Sequence, residues 1–461
     1  MLWVWNLVVV NLFKKIFIKS FGCAANIADG EIMAGCLAKA GYKIVPNIDE
    51  ADIIIYNTCA VKSPTENRMI SILRAIPKDK KLIVAGCLPL INFERLKKEV
   101  KFDGVVGPSP GELIIDVVRM VENGENPIIL RNDFKPNLLL PRIPVTPIIR
   151  IIPISYGCLG SCAYCCVRFA RGKLRSYYIE EILEEVKNSL REGVQEFWLT
   201  SQDLAAYGKD IGVSLIDLLE KLLKLNEKFF VRLGMMNPNH VIEILDELVK
   251  VYRDKRIFKF LHLPLQSGDD KVLKDMNRFY SVEDYRRIVY TVKDKVENLT
   301  LATDVICGFP TETLEAFKNT LKLIKEIKPD IVNISKFYPR PKTIAEKMKQ
   351  LPTQEVKRRS KILTKLAAEI SLKNNLKWVG WVGHILVDEK GLNCSWIGRN
   401  ISYKPVVIKS SCIENLMGKY LKVSIKKAFT NYLEADILGR EAELNKQQPI
   451  NLYSKQVRKL V

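Results

Sequence analysis

The chain has 461 residues and a mass of 52.7 kDa; 48% of it is hydrophobic and 27% charged, which excludes a disordered chain and suits about three folded domains. Its 72 lysines and arginines against 52 aspartates and glutamates leave +20 and a pI near 9.3, a surplus that favours a polyanionic partner. No run of ~18 apolar residues is free of charge, so no membrane-spanning helix is expected.

Residues 1–13 are apolar but short, with no basic residue ahead of them and no small-residue cleavage site, which argues against a signal peptide. They read as a buried first strand or as a start upstream of the true beginning near Lys14, and the second reading is preferred. A cytoplasmic location is therefore expected. Eleven cysteines in a reducing compartment point to metal binding or chemistry rather than to a disulfide framework.

From Lys14 the pattern alternates strand and helix. Lys14 to Phe21 reads as a strand, and Asp29 to Gly41 as a helix that Gly41 stops. The short apolar runs Ala51–Tyr56 and Leu82–Ala85 suit buried parallel strands, so a Rossmann-like α/β sheet is predicted. A linker follows in Lys135–Pro147, which carries four prolines. Six further strands separated by helical patterns are predicted at 151–155, 196–200, 230–234, 258–263, 301–306 and 331–335. Six strand–helix repeats make a partial barrel whose site lies at the C-terminal ends of the strands. Residues 352–377 read as a charged helix. Beyond it, short glycine-punctuated strands at 379–387, 403–408, 420–425 and 433–437 predict a small β-barrel. Residues 371–461 hold 15 basic against 7 acidic side chains, so this end carries much of the charge surplus.

The strongest chemical signal is Cys158-x3-Cys162-x2-Cys165, directly after the first barrel strand. Such a loop can curl three thiolates around one four-iron cube and leave the fourth iron open to a small chelate, such as the amino and carboxylate groups of S-adenosylmethionine. The alternative is a structural zinc site with a distant fourth ligand. Zinc prefers paired cysteine hooks or cysteine–histidine sets, and only His240, His262 and His384 exist. Cys166 adjoins Cys165 and reads as a core residue. A second signal is Cys23, Cys59 and Cys87, each just beyond an apolar strand. Parallel strand ends share one sheet edge, so the three can converge. From spacing alone, three buried cysteines explain them better.

Gly157-Cys-Leu-Gly-Ser-Cys-Ala-Tyr-Cys165 resembles the cluster loop of radical S-adenosylmethionine enzymes, with Tyr164 at the aromatic position beside the cofactor. Phe21-Gly-Cys-Ala-Ala-Asn26, Asn57-Thr-Cys-Ala-Val-Lys62 and Ala85-Gly-Cys-Leu88, in that order ahead of such a loop, are similar to the methylthiotransferase family. Thr200–Gly208, His262–Asp270, Met276–Tyr280 and Thr303–Glu312 resemble its barrel motifs, and Gly398–Val406 its closing RNA-binding barrel, the TRAM domain. Asp29–Met33 and Val61–Met69 look most like the archaeal and eukaryotic branch, which modifies threonylcarbamoyladenosine beside the tRNA anticodon.

The resemblance implies three domains: an N-terminal auxiliary-cluster domain over 14–134, a partial (β/α)6 radical S-adenosylmethionine barrel over 144–372 and a TRAM domain over 376–440. It implies two 4Fe-4S clusters, one on Cys158, Cys162 and Cys165 and a sulfur-donating one on Cys23, Cys59 and Cys87. Tyr164, Ser201, Gln202, Asp203, Gln266 and Gly308 are the implied cofactor contacts, with no catalytic side chain beyond the cluster ligands. S-adenosylmethionine supplies radical and methyl group, and an external electron donor and the tRNA anticodon arm are the partners. The basic barrel is expected to bring that arm over the strand ends. The other readings are methylthiolation of another tRNA adenosine or of a ribosomal protein, a cobalamin-dependent radical enzyme, and a redox-sensing RNA-binding protein. The cobalamin reading lacks its usual cobalt ligand, since residues 1–239 contain no histidine.

Three departures from the family pattern stand out: Thr311 and Lys342 where glycine is usual, and Ala24-Ala25 in place of bulkier residues. Cys36, Cys307, Cys394 and Cys412 read as buried hydrophobes, the histidines as structural, and Lys357–Lys361 as a solvated helix face. Arg340 and Arg399 sit in family motifs without an assigned role. Asp203 and Asp304 close barrel strands, as ligands for ribose or a substrate amide or as loop caps.

Overall fold

The computed structural model describes residues 14–410 and 414–440, so residues 1–13 and Cys412 lie outside it. The chain forms two compact units that change over at Ile143–Pro144, inside the proline-rich stretch.

The first unit is an open sheet with strands β1 (Lys15–Ser20), β2 (Lys43–Ile44), β3 (Ile53–Thr58), β4 (Lys81–Gly86), β5 (Gly104–Val106) and β6 (Ile128–Ile129), all parallel, in the order β2-β1-β3-β4-β5-β6. Every residue of β3 is buried, as a central strand covered on both faces requires. Helix Ala24–Lys39 buries Ile32, Met33, Cys36 and Leu37 against that sheet. It begins at Ala24, well before the expected Asp29, because Asp29 is not a cap but a buried residue inside the helix. The small Ala24 and Ala25 form its first turn, and Gly41 ends it at φ +99°. Gly30 lets the helix sit close to the sheet: a Cβ there would lie 2.1 Å from Ser20 Oγ.

The second unit holds β7 (Ile149–Pro153), the short pair β8 (Ser155–Tyr156) and β9 (Arg175–Ser176), then β10 (Glu196–Thr200), β11 (Phe230–Leu233), β12 (Phe260–His262), β13 (Thr300–Cys307) and β14 (Ile331–Lys336). Strands β7-β10-β11 and β12-β13-β14 form two parallel triplets, joined by the Val231–Ile257 bridge into the six-stranded arc of a partial barrel. Helix Thr353–Leu376 leads to a closed barrel of β15 (Val382–Lys390), β16 (Ser395–Arg399), β17 (Pro405–Lys409), β18 (Tyr420–Ala428) and β19 (Leu433–Arg440). Strand β16 was not expected, because Gly398 and the flanking Asn and Ser residues give it loop-like composition. Trp396 from this strand is nevertheless core, packed with Ile385, Val406, Leu421 and Val423.

The terminal barrel packs against the N-terminal ends of the central strands, opposite the cysteine loop. Tyr403, at φ +58°, packs on Phe258 and Phe260 with ring centroids 4.8 and 5.3 Å apart. Tyr420 lies 6.1 Å from Phe230, and Ile401 O accepts from Lys259 N at 2.7 Å. Lys404 Nζ reaches Asp330 at 2.7 Å and Asn375 at 3.0 Å. Phe230, Phe258, Lys259, Phe260 and Asp330 each stand at or before the first residue of a strand, and Asn375 is near the end of helix Thr353–Leu376. The guanidinium of Arg232 on β11 is ringed by Trp198, Phe260 and Tyr403 at 5.2, 5.0 and 5.2 Å.

Two further expectations are corrected. Cys394 is disulfide-bonded rather than a buried thiol; it sits half-buried at φ +58° in the β15–β16 loop, outside the core. Arg359, expected on a solvated face, is buried and pairs with Glu312 at 2.6 Å. The helix turns this residue inward, onto the end of β13. Removing either partner of such a pair costs about 3–5 kcal/mol, because it strands a buried charge.

Candidate metal centres

The cysteine loop leaves β7 at the C-terminal mouth of the partial barrel. Gly157 makes the turn at φ +79°, where a Cβ would lie 1.8 Å from Lys173 O, so no other residue fits. Gly157 N donates to Gln202 Oε1 at 2.6 Å and Cys158 N to Gly172 O at 3.2 Å. From the other side Ala163 N donates to Met276 O at 2.9 Å, and Asn277 Nδ2 to Ser161 O and Oγ at 2.9 and 2.7 Å. Asn277 does this from φ +58°, a left-handed turn that asparagine tolerates well.

The sulfurs of Cys158 and Cys162 both lie beside Gly160. A Cβ on Gly160 would lie 3.3 Å from one and 3.8 Å from the other, and Gly160 N donates to Cys158 Sγ at 3.2 Å. Burial is the main cause that pushes the Cys158 thiol up to about 11 and the Cys165 thiol to about 12. Such thiols are poor nucleophiles at neutral pH; they ionise when a cationic centre shares the pocket. Among the described residues no three His, Cys, Asp or Glu side chains stand at the spacing of a single ion's ligands. Cube ligands grip different corners and stand farther apart. A three-thiolate loop with an amide aimed at sulfur fits a cluster and offers no fourth zinc ligand.

The other cofactor contacts expected from the sequence fall around this mouth. Tyr164 is half-buried and meets Phe309 edge-on at 6.5 Å. Ser201 Oγ accepts from Asp203 N at 3.1 Å. Asp203 takes up Asn237 N at 3.0 Å and His240 Nδ1 at 2.7 Å. Gln266, at φ +65°, bridges to β13 through Asp304 O. Gly308, at φ +80°, has Val356 against it and gives its N–H to Glu312 Oε1 at 3.1 Å. Within the barrel His262 Nε2 meets Asp304 Oδ2 at 3.0 Å, and Asn333 Nδ2 donates to Oδ1 at 2.8 Å. Burial is the largest single influence on the Asp304 carboxyl and raises it; the hydrogen bond and charge of His262, with Asn333 and Lys62, together outweigh it and hold the carboxyl low. Lys342 is left-handed at φ +68°, which explains why glycine is usual there. The Thr311 hydroxyl is buried without a hydrogen-bond partner, and Arg340 is buried.

In the first unit the three cysteines share one edge. Strands β1, β3 and β4 are neighbours, with Ser20 opposite Asn57 and Thr58 opposite Gly86. Cys23 caps helix Ala24–Lys39, Cys59 follows β3 and Cys87 follows β4. The chain reverses its order between β1 and β3, the switch point where open α/β sheets bind ligands beyond the strand ends. Two asparagines brace this edge. Asn26 Nδ2 donates to Asn57 Oδ1 at 2.7 Å, and Asn57 Nδ2 donates to Asn26 O at 2.6 Å and Ser20 Oγ at 3.2 Å. Gly86, at φ +93°, is free of a Cβ that would lie 2.5 Å from Thr58 O. Cys23 is exposed, Cys59 half-buried and Cys87 buried, so the edge is open to solvent at one of its three thiols.

Residues 152–324 match the Radical SAM superfamily, 15–107 the family described as Uncharacterized protein family UPF0004, and 377–438 the TRAM domain. The fold is similar to a radical S-adenosylmethionine methyltransferase, TsrM, from Kitasatospora setae, with a TM-score of 0.53 at 14% identity over 72% of this chain and 75% of that one. Fold and cysteine loop define a radical S-adenosylmethionine enzyme. Over 429 residues the chain is 41% identical to a probable threonylcarbamoyladenosine tRNA methylthiotransferase of Pyrococcus abyssi, covering 92% of this chain and 100% of that protein. It is 39% identical to the threonylcarbamoyladenosine tRNA methylthiotransferase of Homo sapiens over 91% of this chain and 73% of that one. The chain belongs to this methylthiotransferase family.

Proposed function

We propose that this protein is a tRNA methylthiotransferase that converts N6-threonylcarbamoyladenosine beside the anticodon to its 2-methylthio derivative. The observation that carries the reading is the 41% identity along the whole length of a relative bearing that name, with both cysteine trios in their family segments. Cys158, Cys162 and Cys165 would hold a 4Fe-4S cluster with S-adenosylmethionine on its open iron. When bound, that pair supplies the radical chemistry that adenine C2 demands, since its C–H bond has neither an acidic proton nor a leaving group. Cys23, Cys59 and Cys87 would hold the second cluster, the source of sulfur.

The chain's own side chains orient and enclose. Gln202 fixes the start of the cluster loop through Gly157 N. Asp203 and Gln266 line the cofactor side of the mouth, and Asp304, set by His262 and Asn333, offers a charged acceptor to a base amide or ribose. Exposed Lys409, Lys422, Lys426 and Lys427 on the terminal barrel would contact RNA phosphates, which position without reading sequence. An electron donor must come from outside the chain. We place the enzyme in the cytoplasm with its substrate. No helix among the described residues is long and apolar enough to cross a membrane. The test is mass spectrometry of tRNA nucleosides from a strain lacking the gene. Loss of 2-methylthio-threonylcarbamoyladenosine with the unmethylthiolated precursor retained is the expected result. An unchanged nucleoside profile overturns the assignment.

A further inference from the structure

Arg278 is the one member of the Met276–Tyr280 segment that faces the cluster loop with a charge. Its Nη1 donates to Cys162 Sγ at 3.4 Å, and its guanidinium stacks over the Tyr280 ring at 4.9 Å. Nε points to Tyr280 Oη at 3.4 Å, and Nη2 donates to Asn237 Oδ1. These anchors are themselves tied down. Tyr280 Oη donates to Leu265 O at 2.6 Å, and Asn237 N donates to Asp203 Oδ1 at 3.0 Å. Arg278 makes no ion pair with an aspartate or glutamate among the described residues. A half-buried guanidinium without a carboxylate partner is costly unless something else supplies the negative charge. The group placed to do so is Cys162, one of the three thiolates of the loop.

We propose that Arg278 is a positioning residue that sets the reduction potential of the cluster on Cys158, Cys162 and Cys165, through its fixed charge and its hydrogen bond to the Cys162 sulfur. Reduction adds one electron, and so one negative charge, to the cluster. A cation locked against a ligand sulfur stabilises the reduced form more than the oxidised one and raises the potential. The electron comes from the external donor and leaves to S-adenosylmethionine; Arg278 keeps its proton throughout. Lysine carries the charge without the planar fork, so it cannot hold Asn237 and the sulfur together.

This inference rests on the assignment of that cluster, and the test separates the two. In a Cys23→Ala, Cys59→Ala, Cys87→Ala background only one cluster remains to be read. After anaerobic reconstitution, iron content and a dithionite titration followed by electron paramagnetic resonance are compared for this parent, Arg278→Lys and Arg278→Met. The expected result is about four irons in all three. At the parent's midpoint the ratio of reduced to oxidised cluster should fall about tenfold in Arg278→Met, equivalent to about 59 mV for one electron. Arg278→Lys should fall between. A loaded Arg278→Met with an unmoved midpoint overturns the inference. So does loss of the cluster in Arg278→Met and Arg278→Lys alike, which would make Arg278 a structural clamp. A parent without iron overturns the cluster assignment along with the inference.

Discussion

The two cysteine trios solve one problem in opposite ways. Cys158, Cys162 and Cys165 sit on a single loop whose shape is set by near neighbours: Gly157 turns it, Gly160 leaves room for two sulfurs and donates to one, and Asn277 ties it from outside. Cys23, Cys59 and Cys87 come from three strands far apart in sequence, and only the order β1-β3-β4 puts them on one edge. The local trio is a motif; the edge trio is a consequence of topology. A local site fails by losing its turn, whereas an edge site fails by losing its sheet register or its braces.

The sharpest way to break the comparison is to remove each trio in turn. Alanine at Cys158, Cys162 and Cys165 should abolish formation of 5′-deoxyadenosine altogether. Alanine at Cys23, Cys59 and Cys87 should spare that cleavage and abolish methylthiolation, each set removing about four irons per chain. Cleavage lost in both would mean that the trios do not act separately. A narrower cut is Gly157→Ala, which drives a Cβ into Lys173 O and forces a left-handed alanine. Iron should fall by about half, from the loop site, and the melting temperature should fall with it, because Gly157 is buried and the clash is with backbone. The smallest effect is expected from Asn57→Leu, which takes the 2.7 Å acceptor from the buried Asn26 amide and leaves it only the longer contact to Thr58 O at 3.4 Å. A weakened buried hydrogen bond of this kind costs about 1 kcal/mol. Calorimetry should show that loss, and iron should leave the N-terminal site only.

How much of this was legible in the residues follows the same divide. The loop trio, the barrel strands and the helix Thr353–Leu376 could be read because their signals are local. The edge trio could not be separated from three core cysteines by spacing, because spacing carries no strand order; family resemblance and the sheet supplied it. Arg278 and Asn237 stayed silent because they meet each other, and meet Cys162 and Asp203, across loops remote in sequence. Basic residues follow the same rule. Arg359 lies in a run that reads as solvated, yet topology brings Glu312 to it inside the fold, as it brings Asp388 to Arg399 and Asp330 to Lys404. A sum of charges counts both members of each pair and says nothing of which members meet.

Tyr403 and Tyr420, packed on Phe230, Phe258 and Phe260, make the terminal barrel part of the aromatic packing at the N-terminal end of the central strands. Trimming that barrel away would bare these rings to water, so its loss should cost the central strands stability as well as remove a basic surface.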